Sequence, residues 1–238
     1  MKYKKLIFAV ITIMLLLSTV VTPAFAESTG FTTESLPQDQ IDTIRKNTKI
    51  TMLTNEPRKQ GIECFDVNEK GIIAIGCGEY TNKTVSIYTT DGIFKYAYSF
   101  VCYGSFGVEL DGEILTIYFM RSSIAVSVDT NGEIIDVVGI SDTYDNYSYW
   151  DTSVWATKRS VGDTDYVVER DLGPYNLVVS SYSRLIVTDS TGSENIIYDV
   201  NSSMLVTLKV RLALFCGFFV LVIICVIWKS IKSRRGGW

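Results

Sequence analysis

Glycine turns recurring between apolar runs constrain this chain more than any other feature in it. Cys64-Phe65-Asp66-Val67 turns through Asn68-Glu69-Lys70-Gly71 into Ile72-Ile73-Ala74-Ile75. Val85-Ser86-Ile87-Tyr88 then turns at Asp91-Gly92 into Phe94 to Phe100. The pattern recurs as Phe106 to Leu110, Asp111-Gly112, Ile114 to Phe119, and as Ile124 to Val128, Asn131-Gly132, Ile134 to Val138. Gly71 and Gly112 are 41 residues apart, and Gly92 and Gly132 are 40 apart. β-Branched and aromatic residues between Gly-containing turns are the signature of antiparallel hairpins.

A third copy reads as Tyr166 to Glu169, a turn at Gly173-Pro174, Tyr175 to Val179, then Arg184 to Val187, Thr191-Gly192 and Asn195 to Val200. Its glycines lie 61 and 60 residues beyond those of the second copy, so about 20 residues are expected as one insertion around Ser141 to Gly162. Each copy makes four antiparallel strands. A four-stranded sheet has two faces and needs neighbours to bury both. With this period the chain resembles β-propeller repeat proteins that carry an Asp-Gly or Asn-Gly turn between the two outer strands of each blade. The resemblance spans roughly residues 62–200 and includes no family-specific functional motif, so it implies a fold and no chemistry. The expected class is all-β: about three four-stranded propeller-blade-like repeats forming an incomplete propeller, with one C-terminal transmembrane helix. A dimeric ring and a packed sandwich are the alternatives. Lys49 to Thr54 and a strand near Val154 to Ser160 are candidates for part of a fourth sheet.

The two ends set the topology. Lys2, Lys4 and Lys5 precede an apolar run from Leu6 to Val21, and Ala24 and Ala26 fit an A-x-A cleavage site. Residues 1–26 therefore read as a signal peptide. Residues 27–48 form a polar lead-in, expected as a stalk or poorly ordered stretch with a short helix over Gln38 to Arg45 as the other option. Residues 49–207 are the expected extracytoplasmic β-repeat domain and 210–228 the transmembrane helix. Leu212 to Trp228 is a run of 17 residues without charge, the short end of what crosses about 30 Å of hydrocarbon. Lys229, Lys232, Arg234 and Arg235 in the tail of 229–238 outweigh Lys209 and Arg211, which places the C-terminus in the cytoplasm of a single-pass cell-membrane protein.

Charge is partitioned accordingly. All 26 acidic residues lie between Glu27 and Thr207, with 13 of the 22 Lys and Arg, so that segment carries a formal −13 against −4 for the whole chain. Such a field repels nucleic acid, anionic lipid headgroups and anionic wall polymers, and suits a cationic partner or simple solubility. No histidine is present, and Cys64, Cys77 and Cys102 show neither a disulfide framework nor zinc-ligand spacing. Cys64 and Cys77 read as small core fillers. No cofactor or metal is expected.

The insertion is the one unusual stretch. Tyr144, Tyr147, Tyr149, Trp150 and Asp151 combine rings with carboxylates, an arrangement that stacks on sugars or cages a cation. Such inserts more often cover a sheet edge or face and pack their rings there. Arg121 reads as a groove-lining cation or a satisfied turn residue. Asn146-Tyr147-Ser148 is a formal glycosylation sequon, taken as chance. The leading expectation is a non-enzymatic binding module tethered to the membrane, taking a protein, peptide or glycan. A surface hydrolase using acidic residues and an accessory subunit of a membrane complex are the alternatives. Oligomeric state stays open.

Overall fold

The computed structural model describes residues 29–235. The expected signal peptide lies outside the described residues, as do the last three residues of the expected tail. Three antiparallel sheets and one long apolar helix make up the described chain.

The first sheet is a meander of β3 (Ile62–Val67), β4 (Ile73–Glu79), β5 (Asn82–Tyr88) and β6 (Phe94–Val101), with β2 (Thr51–Leu53) added beside β6. The second runs β7 (Phe106–Asp111), β8 (Ile114–Phe119), β9 (Ile124–Val128), β10 (Ile134–Ile140), with β1 (Thr33–Glu34) on the far side of β10. The third is β11 (Lys158–Val161), β12 (Thr164–Glu169), β13 (Arg184–Thr188), β14 (Glu194–Asp199). Three meanders of four strands agree with the repeat, but the described residues form no closed propeller.

Four hairpins share one turn. In those beginning at Asn68, Thr89, Asp129 and Asp189, the first residue's carbonyl accepts the N–H of a glycine three residues on. Asn68, Asp129 and Asp189 also accept two backbone N–H groups through a side-chain oxygen. The glycines Gly71, Gly92, Gly132 and Gly192 have φ between 74 and 86°, where a Cβ is strained. An Asn, Asp or Thr oxygen at one end of the turn and Gly near the other thus occur together. That is why the spacing is visible in sequence.

Layer order departs from sequence order. The first sheet lies in the middle: Cys64, Ala74, Val85, Ile87, Tyr98 and Phe100 face the second sheet. Its other face, with Ile62, Phe65, Ile73, Ile75 and Tyr88, meets Tyr166, Val168, Leu185 and Tyr198 of the third. Burial on both faces explains the uninterrupted apolar run of β4. The third sheet therefore stacks on the first and not on the second. The second sheet's free face is covered by the insertion, which forms helix α2 (Tyr144–Tyr149) and one π turn, Trp150–Val154.

Several expectations are corrected. The inserted residues are split in two. Lys158–Val161 is the first strand of the third sheet and belongs to no fourth sheet. Thr51–Leu53 likewise extends the first sheet. Tyr175 to Val179 is no strand: Gly173–Leu177 is a 3-10 turn inside a long connection between β12 and β13. Nor is the lead-in a stalk in its described part. It supplies β1 and helix α1 (Gln38–Asn47), whose Ile41 and Ile44 rest on the core between the first two sheets.

Helix α3 (Asn201–Arg235) follows β14 directly. Asn201–Val226 is long and apolar enough to cross a membrane, and none of its apolar window is buried in the rest of the protein. A core helix would be buried, so this one is compatible with a single-pass anchor.

Candidate functional site

Strand connections alternate between two ends. β3 and β7 run parallel, because Asp66 accepts the Leu110 N–H at 2.7 Å and Asn68 Nδ2 donates to the Gly112 carbonyl at 2.6 Å. The third sheet is aligned by a bridge in which Ile62 N–H donates to the Tyr182 carbonyl at 2.8 Å. One end, called far, therefore collects the six tight hairpin turns. The near end collects the turn after β4, the connections after β6, β8, β10 and β12, and the start of α3.

The two ends differ in chemistry. Glu69, Asp91, Asp111, Asp129, Asp163 and Asp189 put a carboxylate in every far-end turn, with Lys70 the single base among those turns. Asp129 is held below the ordinary carboxylate range chiefly by the Glu133 N–H, with Asn131 adding to it, and Asp189 chiefly by the Thr191 hydroxyl, with the N–H groups of Ser193 and Thr191. The near end gathers most of the exposed apolar side chains, among charged ones. Tyr80, Val101, Tyr103, Met120, Tyr144, Tyr147, Leu177 and Val178 are exposed there. Only Ile93, Ile135 and Ile196 are comparably exposed elsewhere between Phe31 and Val200. Arg121 stands exposed at the near end, beside Gly104, in the 3-10 turn Met120–Ser122.

The ring-rich insertion does not assemble a cage from all five of its expected residues. Trp150 is 6 % exposed, in contact with Phe31, Tyr118 and Trp155, with ring centroids 5.0, 5.9 and 5.0 Å away. Tyr149 is half-buried, edge-on to Phe31, and donates its hydroxyl to Glu109. Tyr144, Tyr147 and Asp151 remain in solvent, and Tyr147 donates to Asp142 at 2.8 Å. A shallow cleft of about 140 Å³ includes Tyr147, Trp150, Asp142 and Asn146. That is less than half the volume at which ligand pockets usually begin. Asn146 is buried, donates to the carbonyls of Thr32 and Ser141, and accepts the Thr32 N–H, so it serves as the pin between insertion and β1. Its amide is not presented for glycosylation.

A polar cluster lies where the first strands of the sheets meet. Asp66 of β3 is 3.1 Å from Arg159 Nε of β11, and Glu109 of β7 accepts the hydroxyls of Tyr118 and Tyr149. Burial raises the Asp66 carboxyl, against the pull of Arg159 and of two backbone N–H groups. Each carboxylate oxygen here is engaged by the fold. Among the described residues no group of three metal-ligating side chains converges.

A groove of about 440 Å³ lies at the foot of α3. Arg58, Gln60, Glu79, Ser180, Ser181 and Arg211 line it, and Arg211 bonds Glu79 across 2.9 Å. The sequence reading missed both this groove and the apolar near end. The available signal was partial: a carboxylate stands in each of the six tight turns, while the exposed apolar residues Tyr80, Tyr103, Leu177 and Val178 stand in the connections between them. No protein-family model, curated protein or solved structure matches the chain.

Proposed function

We propose that this chain is a single-pass membrane protein whose leader is removed after Ala26 and whose propeller-like β domain stands outside the cell as an interaction module. In this reading the three meanders are blades whose inner strands are β3, β7 and β11, and the insertion takes the place of a further blade against the second sheet. The far end, pointing away from the helix and its bilayer, receives a protein or peptide with a cationic face. One observation carries this: each far-end turn presents a carboxylate on a hydrogen-bonded, glycine-fixed loop. Fixed charge at the tips of a rigid scaffold steers and orients a basic partner. A glycan is disfavoured because Tyr149 and Trp150, two of the four rings expected to stack on sugar, face inward and leave only Tyr144 and Tyr147 on the surface. A hydrolase is disfavoured because Asp66 and Glu109 are already committed to internal bonds.

The test uses full-length protein in neutral-lipid nanodiscs and an oligolysine peptide as probe. Binding is expected to weaken steeply with salt, as exposed charges are screened. Asp91→Asn/Asp111→Asn/Asp163→Asn should weaken it several-fold. Asp39→Asn/Asp145→Asn/Asp151→Asn removes the same charge away from the far end and should leave most of it. Equal losses in the two triple variants would reduce the effect to net charge and sink the proposal.

A further inference from the structure

We infer that the near end of the β domain is seated in the headgroup layer of the bilayer that α3 crosses, with Tyr80, Tyr103, Leu177 and Val178 as its contact side chains. The inference rests on the tethered reading above and adds to it a docking surface and its occupant.

Height along α3 gives the first argument. Arg211 is the last charge before the uncharged run that starts at Leu212, so the boundary between headgroups and hydrocarbon falls there. Arg211 Nη2 lies 2.9 Å from Glu79 Oε1, which holds the turn after β4 at the same height. The next residue, Tyr80, has φ of 54° and is 84 % exposed. A tyrosine held out in a left-handed conformation gains nothing in water, whereas an amphipathic ring at headgroup level is favourable.

A second connection reaches the same level independently. Val178 lines the groove together with Leu208 and Arg211, and it is 72 % exposed, while Leu177 beside it is 94 % exposed. Residues 177 and 178 belong to the long connection after β12, which the repeat does not require. Tyr103 is tied to the first turn, since Cys102 N–H donates to the Thr81 carbonyl at 2.8 Å. The apolar surface is thus continuous with the helix and spreads outward from it.

Charge favours the same pose. Arg58, in the groove, has no hydrogen-bond or ion-pair partner among the described residues, and Arg121 stands exposed beside the 102–105 connection. Anionic headgroups attract these guanidinium groups, against the repulsion of Asp142, Asp145, Asp151 and Asp171 in the near-end connections, and repel the carboxylates in all six turns of the far end. The balance of charge between the two ends biases the domain toward standing upright, with its acidic turns furthest from the membrane.

The test places a nitroxide at Tyr80→Cys, Leu177→Cys or Glu113→Cys in full-length protein lacking Cys216 and Cys225 (both replaced by Ala). The protein is reconstituted alone in phosphatidylcholine/phosphatidylglycerol vesicles. Probes at 80 and 177 are expected to relax more with oxygen than with a water-soluble nickel chelate, and the probe at 113 the reverse. Chelate reaching 80 and 177 as freely as 113 overturns the inference. Vesicle flotation, measured in parallel, separates the two layers of the reading. Flotation with aqueous probes leaves the tether intact and removes the seating, whereas failure to float removes both. Probes that are aqueous in vesicles but shielded in native membranes assign the surface to a protein partner and also overturn it.

Discussion

Asp66 and Arg159 show how a single pair of residues ties the sheets together. Their side chains are 13 % and 19 % exposed, the guanidinium lies over the Phe65 ring, and Asp66 also accepts a backbone N–H from β7. All three sheets therefore meet on one carboxylate. Burial raises its protonation range above that of an unfolded aspartate, with Arg159 opposing. The sign follows from linkage: an acid with a raised folded pKa contributes stability at low pH, which is lost as pH rises through that folded value. Arg159→Met removes the opposing charge, so the Asp66 carboxyl titrates higher still. The variant should lose roughly 3 kcal/mol near neutral pH, the scale for uncovering one partner of a largely buried pair. The loss should shrink below the ordinary aspartate range, where the carboxyl is neutral in both states. Carboxyl NMR titration and thermal melts across pH check both statements. A loss independent of pH would mean that packing, not charge, dominates at this position.

At the scale of elements, the insertion and the second sheet depend on one close approach. Gly107 of β7 has no Cβ, and a methyl there would fall on Val154 Cγ1 and within 3.2 Å of Trp150. Gly107→Ala should push the π turn off the sheet and cost about 1–3 kcal/mol, the range for overpacking a core. Cleavage within 141–157 by chymotrypsin should rise with it, while the far-end turns keep their resistance. Unchanged melting and cleavage would show that the insertion adjusts without loss. These elements also show what was legible in sequence and what was not. The outer hairpins could be read because an Asp, Asn or Thr and a glycine are both needed at fixed offset in their turns. Lys158–Val161 was missed as a first strand because Lys-Arg-Ser-Val carries almost no apolar signal, and its place is set by pairing with β12 and by the ion pair of Arg159. Tyr175 to Val179 misled for the opposite reason. It is apolar enough for a strand, but Leu177 and Val178 lie on the surface, and periodicity does not distinguish a core from an exposed contact. In the insertion, Trp150 packs on the second sheet, the covering role that such inserts more often take, but sequence alone did not divide it from Tyr144 and Tyr147, which stay on the surface.

Over the whole molecule the first sheet is the keystone, and its thiols report on that role. Cys64, Cys77 and Cys102 are free and buried, and burial pushes each thiol above its ordinary range. Cys64 and Cys102 lie in the seam between the first and second sheets, and the space beside Gly76 is closed by Cys64 Sγ and the Phe106 ring. A reagent reaches Cys64 only when that seam opens, so its labelling rate measures sub-global opening of one sheet from the other. In the native protein, maleimide modification of Cys64 is expected to be slower than that of an exposed thiol by about three orders of magnitude or more, since opening a packed core seam costs several kcal/mol. Both a raised thiol pKa and low access act in this direction. Gly107→Ala disturbs the opposite face of the second sheet and should leave the Cys64 rate nearly unchanged if the seam opens as an independent unit. If that variant accelerates Cys64 labelling in proportion to its lost stability, the layers unfold together and the stack is a single cooperative body. Mass spectrometry after timed quenching, resolved by peptide, distinguishes the two. Fast labelling of Cys64 in the native state would contradict the packed seam altogether.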